Sequence, residues 1–308
     1  MRKTIISSVF VATVGLAATL ACNAAIVLPD DDELMPTGKG WGQRVPPGLA
    51  KQPPGNAKPQ GNNGIFYHGG PLILGTTNAY YIWYGNWSGN TATTILTDFA
   101  GHIGGSPYFN INTTYYDGSN THVSGAVNYA GSMSDNYSHG TALSDAGVQA
   151  VVADAISSHA LPLDTNGVYF VLTSADVNET SGFCTQYCGW HTHGTIGGSD
   201  IKYSFVGNPD RCPSACEAQS AGPNGNAGAD GMASIIAHEL EESVTDPDLN
   251  AWYDHRGAEN GDKCAWTFGT TSTASNGAAY NMTLGSRHYL IQQNWVNASG
   301  GYCAKSYP

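Results

Sequence analysis

The run GVYFVLTS, residues 167–174, is strongly apolar and rich in β-branched and aromatic side chains. Its length and composition predict a buried central β-strand. AYYIWYG (79–85) and DIKYSFVGN (200–208) have the same character and predict further strands. We also expect a strand over YFNINTTYY (108–116), and alternating residues over 279–304 predict antiparallel strands near the end of the chain.

Three stretches between these strands have the apolar spacing of helices. In SDAGVQAVVADAISSHAL (144–161), Ser144 or Asp145 can cap a helix whose buried face is Val148, Val151, Val152 and Ile156. TATTILTDFAGHIG (91–104) and DGMASIIAHELEESV (230–244) show similar spacing. We therefore expect one disulfide-bonded α/β or α+β domain, a mixed β-sheet with packed helices, with a zincin-like arrangement as one form of it.

The chain divides into three regions by composition. Residues 1–24 have a basic start, an apolar run and small residues, which predicts a secretory signal peptide. Lipoprotein anchoring at Cys22 is a less favoured alternative. Residues 25–63 are rich in Pro, Gly and Asn and predict a linker or propeptide. Residues 64–308 form the expected globular domain, with no later transmembrane segment, so the sequence predicts a secreted, extracellular protein.

Six cysteines remain after the predicted signal peptide. In an exported chain an even number favours three disulfides over zinc knuckles, and the C-x-x-x-C spacing also differs from the usual knuckle. The sequence leaves their pairing open. They are Cys184, Cys188, Cys212, Cys216, Cys264 and Cys303.

The charge balance excludes one class of partner. The chain has 12 basic and 24 acidic residues, and removing Arg2 and Lys3 with the signal peptide leaves 10 against 24, a net charge of −14. No Lys or Arg occurs between Lys58 and Lys202. Because binding to phosphates needs a basic face, nucleic acid is not an expected partner.

The predicted helix over 230–244 carries a pattern similar to that of zinc hydrolases. His238 and Glu242 lie one turn apart and therefore on the same helix face. Glu239, next to the histidine, is placed to act as a general base on a zinc-bound water. Because zinc accepts carboxylate oxygens, Glu242 can stand where the familiar H-E-x-x-H pattern has its second histidine.

A third zinc ligand must come from outside this helix. Downstream candidates are Asp246, Asp254, His255, Glu259 and Asp262, and we favour Glu259 in GAENGDKC. The competing interpretation is an ordinary helix, with Glu241 and Glu242 facing solvent or His238 hydrogen-bonded in the core.

Two other patterns offer metal ligands. Asp246, Asp248 and Asn250 alternate as in a calcium loop, but Ala251 and Gly257 replace the glycine and glutamate that an EF-hand requires. A looser calcium site remains an alternative to zinc, and the plainest interpretation is a turn that ends the helix at Pro247.

CGWHTHG places His191 and His193 two residues apart. On a strand these imidazoles share a face and can bind metal or substrate. The alternative is a pair of exposed polar residues in a disulfide-tied loop.

Several motifs together resemble the EXORDIUM, or phosphate-induced protein, family. They are YHGGPLILGTTNAYYIWYGNW, VYFVLTSADVNETSGFCTQYCGWHTHG, FVGNPDRCPSACEAQ, PNGNAGADGMASIIAHELEESVTDP and LIQQNWVNASGGYCA. The resemblance covers about residues 64–306 and implies a secreted, disulfide-bonded, extracellular or cell-wall protein. The His238-Glu239 pair resembles a microbial branch of the family, since plant members have small apolar residues there.

Two functions follow as expectations. The first is a secreted zinc-dependent hydrolase that acts on a peptide or cell-wall substrate, with a metallopeptidase as the favoured type. The second is a non-catalytic extracellular protein that binds polysaccharide or a surface partner. In the second case, tryptophan side chains would stack on sugar rings, the candidates being Trp83, Trp87, Trp190, Trp252 and Trp266.

Overall fold

A five-stranded mixed sheet forms the centre of the fold, in the order β3-β2-β5-β8-β7. The computed structural model describes residues 34–39 and 64–308, so the predicted signal peptide and most of the predicted linker lie outside the described residues. The central strands are β2 (Thr77–Tyr84), β3 (Val127–Asp135), β5 (Gly167–Thr173), β7 (Gly189–Ile196) and β8 (Ser199–Gly207).

Short strands and four helices complete the described fold. The short strands are β1 (Phe66–Tyr67), β4 (Ala142–Leu143), β6 (Asn178–Glu179), β9 (Trp252–Tyr253), β10 (Ser272–Thr273), β11 (Ala279–Tyr280), β12 (Met282–Leu284), β13 (Arg287–Tyr289), β14 (Asn294–Val296) and β15 (Tyr302–Ala304). The α-helices are α1 (Ala92–Ile103), α2 (Asp145–Ser157), α3 (Pro213–Cys216) and α4 (Ala227–Thr245), and 3-10 helices span Phe109–Thr114, Pro209–Arg211 and Asp262–Cys264.

The predicted central strand is β5, which lies in the middle of the sheet with every residue buried. It pairs in parallel with β2 and β8, while β7 runs antiparallel to β8 at the edge. Gly197 and Gly198, both at positive φ, form the two-residue turn between β7 and β8. The α+β expectation of a mixed sheet with packed helices is confirmed, and the zincin-like form stays a prediction.

Helices pack on both faces of the sheet. A Cβ on Gly189 would touch Ile235 of α4, whereas a Cβ on Gly194 would touch Gln149 of α2. Because alternate strand residues face opposite sides, the odd-numbered residues of β7 face α4. His191 and His193 are therefore both on the α4 face.

The helix α2 begins as the sequence predicts. The Ser144 side chain accepts a hydrogen bond from the Gly147 amide and caps the helix. Val148, Val151 and Val152 are fully or almost fully buried. Helix α4 similarly begins at the Asn226 cap, which accepts from the Ala229 amide.

The strand expected over residues 108–116 is wrong, because Phe109–Thr114 form a 3-10 helix. The hydroxyls of Thr113 and Thr114 donate to the carbonyls three residues earlier, at 2.7 Å each. The Ser106 hydroxyl accepts from the Phe109 amide. Such local side-chain bonds offer the backbone an alternative to a sheet ladder, and here they outweigh the apolar alternation.

The solvent-facing alternative for Glu241 and Glu242 is also wrong. Both residues are at most 1 % exposed, and nearly all residues of α4 from its second turn onward are buried. The sheet covers one side of this helix and the chain after residue 259 covers the other, where the Gln292 amide donates to the Ser234 hydroxyl. The carboxylates of α4 therefore lie inside the protein.

Three disulfides tie the fold together, as the cysteine count predicts. Two of them join the same pair of segments, Cys184–Cys212 and Cys188–Cys216. The third is Cys264–Cys303, which links the end of a 3-10 helix to the last strand. Within residues 34–39 and 64–308, no helix combines the length and the apolarity needed to cross a membrane.

Candidate metal centre

Helix α4 brings an imidazole and a carboxylate together on one face. His238 Nε2 lies 2.9 Å from Glu242 Oε1, one turn further along the helix. Their spacing of four residues places both side chains on the same side of the helix. This is the pair that the sequence singles out.

The turn after β9 supplies two more carboxylates. The Asp262 amide donates to Glu242 Oε1 at 3.1 Å, and Asp262 Oδ2 accepts from the Glu259 amide at 3.2 Å. Asp262 Oδ1 faces His238 Nε2 at 3.6 Å. Between these residues a Cβ on Gly261 would lie 2.9 Å from Glu242 Oε1, so a side chain there would displace Glu242 or His238.

The strand β7 contributes the second imidazole. His191 Nε2 lies 3.2 and 3.3 Å from the two carboxylate oxygens of Glu259, and 3.7 Å from Glu242 Oε2. We call this group of five side chains the His–carboxylate cluster. Its members are His191, His238, Glu242, Glu259 and Asp262.

The His–carboxylate cluster is buried. The side chains of all five members are at most 1 % exposed. Five of their polar atoms have no hydrogen-bond partner among the described residues: His191 Nδ1, His238 Nδ1, His238 Nε2, Glu242 Oε2 and Asp262 Oδ1. Since unsatisfied polar groups are costly inside a protein, the cluster has the character of a binding site for a cation.

Electrostatics within the cluster follow from burial and crowding. Burial lowers the pKa of His191 to about 4, so its imidazole is neutral and able to act as a ligand at neutral pH. Burial raises the pKa of Glu259 well above its usual range, and the neighbouring carboxylates raise it further. For His238 burial acts against the charge, but the carboxylates of Glu242 and Asp262 outweigh it and raise the pKa.

Of the other predicted residues on α4, Glu239 faces the sheet. A Cβ on Gly189 of β7 would lie 3.1 Å from Glu239 Oε1, and the charge of Glu239 acts on both His238 and Glu259. Glu241 points elsewhere and accepts a 3.0 Å hydrogen bond from the Tyr108 hydroxyl.

Asp246 ends the helix in a turn. Asp246 Oδ1 accepts from the amides of Asn250 and Ala251 at 2.6 and 2.5 Å, which is the role of a turn-forming side chain. Its other oxygen is buried and without a hydrogen-bond partner among the described residues. Burial, together with the charge of Glu242, raises the pKa of Asp246 to about 7.

The remaining candidates lie outside the cluster. His193 Nδ1 is 2.8 Å from Asp200 and 3.6 Å from Asp248, in a partly exposed group. Lys202 Nζ occupies that group, at 2.5 Å from Asp200. Asp254 pairs with the Lys263 amine at 2.9 Å, and His255 is exposed.

Six residues of the predicted linker lie against the domain beside the cluster. The His191 amide donates to the Gly38 carbonyl at 3.0 Å, on the outer edge of β7. The Leu34 amide donates to the His255 carbonyl, and the Lys39 amine pairs with Asp145 at 2.6 Å. Residues 34–39 thus connect the edge of β7 to the loop that leads to Glu259.

The sequence motifs do not single out Gly38 or Gly261, and they indicate no partner for His193. Gly261 and Gly38 are decisive because backbone passes within contact distance of Glu242 and of His191 at these positions. A glycine inside a cluster of acidic residues, as in AENGDKC, is the signal that indicates such a close approach. No comparable signal in the sequence connects His193 to Asp248.

Comparison with known proteins gives the family. Residues 65–305 match the phosphate-induced protein 1 conserved region, which covers nearly all of the domain that the structure describes. The chain belongs to the phosphate-induced protein 1 family. The family resemblance noted from the sequence motifs is confirmed, while the assignment to a microbial branch stays a prediction.

The relatives of this phosphate-induced family protein include several plant proteins. It is 33 % identical to Protein EXORDIUM-like 3 of Arabidopsis thaliana over 277 residues, which covers 77 % of this chain and 81 % of the relative. It is 34 % identical to Protein EXORDIUM-like 5 of the same plant over 271 residues, covering 74 % of each chain. Protein PHOSPHATE-INDUCED 1 of Nicotiana tabacum is 27 % identical over 224 residues, covering 62 % of this chain and 68 % of the relative. No solved structure matches the chain significantly.

Proposed function

We propose that this protein is an exported zinc-dependent hydrolase of the metallopeptidase type. The observation that carries the proposal is the 2.9 Å approach of His238 Nε2 to Glu242 Oε1 within a buried group of further carboxylates. An imidazole and carboxylates at this spacing are a donor set that zinc accepts. The three disulfides support the export part of the proposal, since disulfides persist in oxidising compartments.

The distances revise the choice of third ligand. The sequence favours Glu259, but Glu259 faces His191, whereas Asp262 Oδ1 lies 3.6 Å from His238 Nε2. A zinc ion held by His238 and Glu242 therefore takes Asp262 as its third protein ligand in this proposal. A fourth position is then left for water or substrate, as in catalytic zinc sites.

Glu239 is the proposed general base. It follows His238 directly on α4, and its charge acts on that histidine. A carboxylate in this position can take the proton of a zinc-activated water as the water attacks a carbonyl carbon. The zinc ion would supply the Lewis acidity, and the role of Glu239 would be proton transfer.

A non-catalytic role is the second candidate, and the burial of the site favours it. No side chain of the His–carboxylate cluster is more than 1 % exposed, so a substrate reaches it only if the covering chain moves. Sugar stacking by the five candidate tryptophans is not supported, because each is at most 9 % exposed. In this alternative the cation stabilises an extracellular scaffold that binds a surface partner.

The test combines metal content with hydrolysis by the full chain purified without chelator. We expect stoichiometric zinc, and hydrolysis of a mixed peptide substrate that a zinc chelator abolishes and added zinc restores. His238→Ala should lose hydrolysis and the zinc ion that His238 holds, while His193→Ala, which changes a histidine outside the cluster, should keep both. Protein that binds no zinc overturns the proposal, and zinc binding without hydrolysis of any peptide supports the non-catalytic candidate. A melting temperature that falls when a calcium-selective chelator is added, with no change in hydrolysis, would instead indicate a structural calcium ion.

A further inference from the structure

The carboxylate of Glu242 faces two different imidazoles. Its Oε1 lies 2.9 Å from His238 Nε2, and its Oε2 lies 3.7 Å from His191 Nε2. Each oxygen belongs to a separate group of three potential ligands. These groups are His191–Glu242–Glu259 and His238–Glu242–Asp262.

The distances in each group match the spacing of ligands around one cation. With zinc bonds of about 2.0–2.1 Å, two ligand atoms at tetrahedral positions lie about 3.4 Å apart. In the first group His191 Nε2 is 3.2 Å from Glu259 Oε1 and 3.7 Å from Glu242 Oε2. In the second group His238 Nε2 is 2.9 and 3.6 Å from Glu242 Oε1 and Asp262 Oδ1. Both sets of distances bracket the tetrahedral value.

The charges in the cluster also favour more than one cation. Four carboxylates lie near enough to act on the charge of Glu259, namely those of Glu239, Glu242, Asp246 and Asp262. Lys263, which follows Asp262 in the chain, is paired with Asp254. In the protonation states in which these groups bind metal, with all five carboxylates ionised and both imidazoles neutral, one divalent cation leaves a net charge of about −3 and two leave about −1. Because buried charge is costly unless it is compensated, the second cation is favourable.

Unpartnered ligand atoms occur in both groups. Glu242 Oε2, on the His191 side, and Asp262 Oδ1, on the His238 side, are buried and have no hydrogen-bond partner among the described residues. By contrast, Asp262 Oδ2 accepts from the Glu259 amide, which fixes the carboxylate so that its other oxygen faces His238. The ligands of both positions are therefore held by the fold.

We propose that the His–carboxylate cluster binds two divalent cations bridged by the carboxylate of Glu242. One cation is held by His191 and Glu259, and the other by His238 and Asp262. The proposal rests on the proposed zinc function, since the cation held by His238 and Asp262 is the zinc ion of that function. The cation held by His191 and Glu259 is the addition. In hydrolases, two-metal sites with ions about 3.5–4 Å apart stabilise both the attacking and the leaving oxygen of the reaction.

The test is the zinc stoichiometry of the full chain, stripped of metal and then titrated with Zn²⁺ by calorimetry, with bound zinc counted after gel filtration. Wild type should bind two zinc ions. His191→Ala and His238→Ala should each bind one zinc ion. Glu242→Ala should lower the affinity for both zinc ions by at least about tenfold. His193→Ala is the matched control and should still bind two, which separates the cluster from the His193–Asp200–Asp248 group.

The outcomes distinguish this inference from the proposed function. One zinc ion in wild type, unaffected by His191→Ala, overturns the two-cation site and leaves the hydrolase proposal standing. Two zinc ions without peptide hydrolysis support the two-cation site and count against the hydrolase. No bound zinc overturns both. Loss of the second zinc ion in His193→Ala rather than in His191→Ala would also overturn the bridged pair.

Discussion

The carbonyl of Gly38 accepts a 3.0 Å hydrogen bond from the amide of His191 at the outer edge of β7. Gly38 has a φ of +66°, and a Cβ there would lie 1.9 Å from the His191 carbonyl oxygen. The segment before the domain is thus joined to the backbone of a cluster residue, where a free sheet edge would otherwise be exposed.

Replacing Gly38 tests this contact. Gly38→Ala should displace residues 34–39 from β7, because the new Cβ clashes with backbone that cannot move away. We expect the His191 amide to exchange its hydrogen at least about tenfold faster, measured by hydrogen exchange and mass spectrometry. Gly89→Ala is the control, since Gly89 has a similar φ of +71° with no atom within 4 Å of its Cβ position. Equal exchange in the two variants would contradict the contact.

Gly261 is the position where the backbone approaches Glu242. Gly261→Ala should force Glu242 or His238 to move, because the new Cβ lies 2.9–3.0 Å from atoms of both side chains. We expect a destabilisation of about 1–3 kcal/mol and a zinc affinity at least about tenfold lower. Gly101→Ala in α1 is the control, because its Cβ meets no atom within 4 Å and its stability should change by at most about 1 kcal/mol. Unchanged zinc affinity in Gly261→Ala would show that the turn does not position the ligands.

The disulfides differ in how much they support the cluster. Cys264–Cys303 alone joins its two segments and lies two residues beyond Asp262, so replacing both cysteines by serine should cost about 2–5 kcal/mol and weaken zinc binding. Replacing Cys184 and Cys212 should cost less, because Cys188–Cys216 still joins the same segments. Urea unfolding and zinc titration of the two double variants measure both effects. A larger loss of zinc binding in the variant without Cys184–Cys212 would contradict the stronger support of the cluster by Cys264–Cys303.

The regular part of the fold follows from local sequence signals. The apolar run of β5 and the spacing of α2 and α4 predict the central strand and the two helices, because burial on both sides leaves a continuous apolar run and burial on one face leaves a periodic pattern. The edge strand β3 has no such pattern, since its residues alternate between exposed and half-buried. The 3-10 helix over Phe109–Thr114 is decided by threonine hydroxyls, which apolar periodicity does not report.

The candidate site is only partly predictable for a related reason. The meeting of His238 and Glu242 depends on helix geometry alone and follows from their spacing. The approach of His191, 68 residues before Glu259, depends on how β7 docks against α4, which no local pattern encodes. The burial of Glu241 and Glu242 depends on the late chain covering α4, so polarity along the helix predicts a solvent face that does not exist.

A carboxylate away from the cluster gives a pH test of the fold. Burial, together with the nearby charge of Asp210, raises the pKa of Glu217 to about 7. The folded state therefore prefers the protonated form, whose stabilising contribution is full below pH 4.5 and is lost as pH rises through about 7. Glu217→Gln should be more stable than wild type by about 1 kcal/mol at pH 8, after allowance for solvent screening, and equal to it near pH 4.5. Unfolding by urea at both pH values measures the difference in free energy of unfolding between variant and wild type. An equal difference at pH 4.5 and pH 8 would contradict this prediction.

Glu239 and Glu241 provide a matched pair for the catalytic proposal. Both are buried glutamates of α4, but the charge of Glu239 acts on His238 and Glu259, whereas Glu241 bonds to the Tyr108 hydroxyl. Burial also raises the pKa of Glu241 well above its usual range, so glutamine is a close mimic of its protonated form.

Glu239→Gln should retain zinc and the fold but lower kcat by about 10²–10⁴, because proton transfer to a general base contributes a factor of this size. Glu241→Gln should keep kcat within a few-fold of wild type. Peptide hydrolysis under saturating substrate, with zinc content measured on the same samples, separates loss of the base from loss of the metal. Full turnover in Glu239→Gln would remove Glu239 from the proposed mechanism. Loss of zinc in that variant would instead place its carboxylate among the groups that hold the cation.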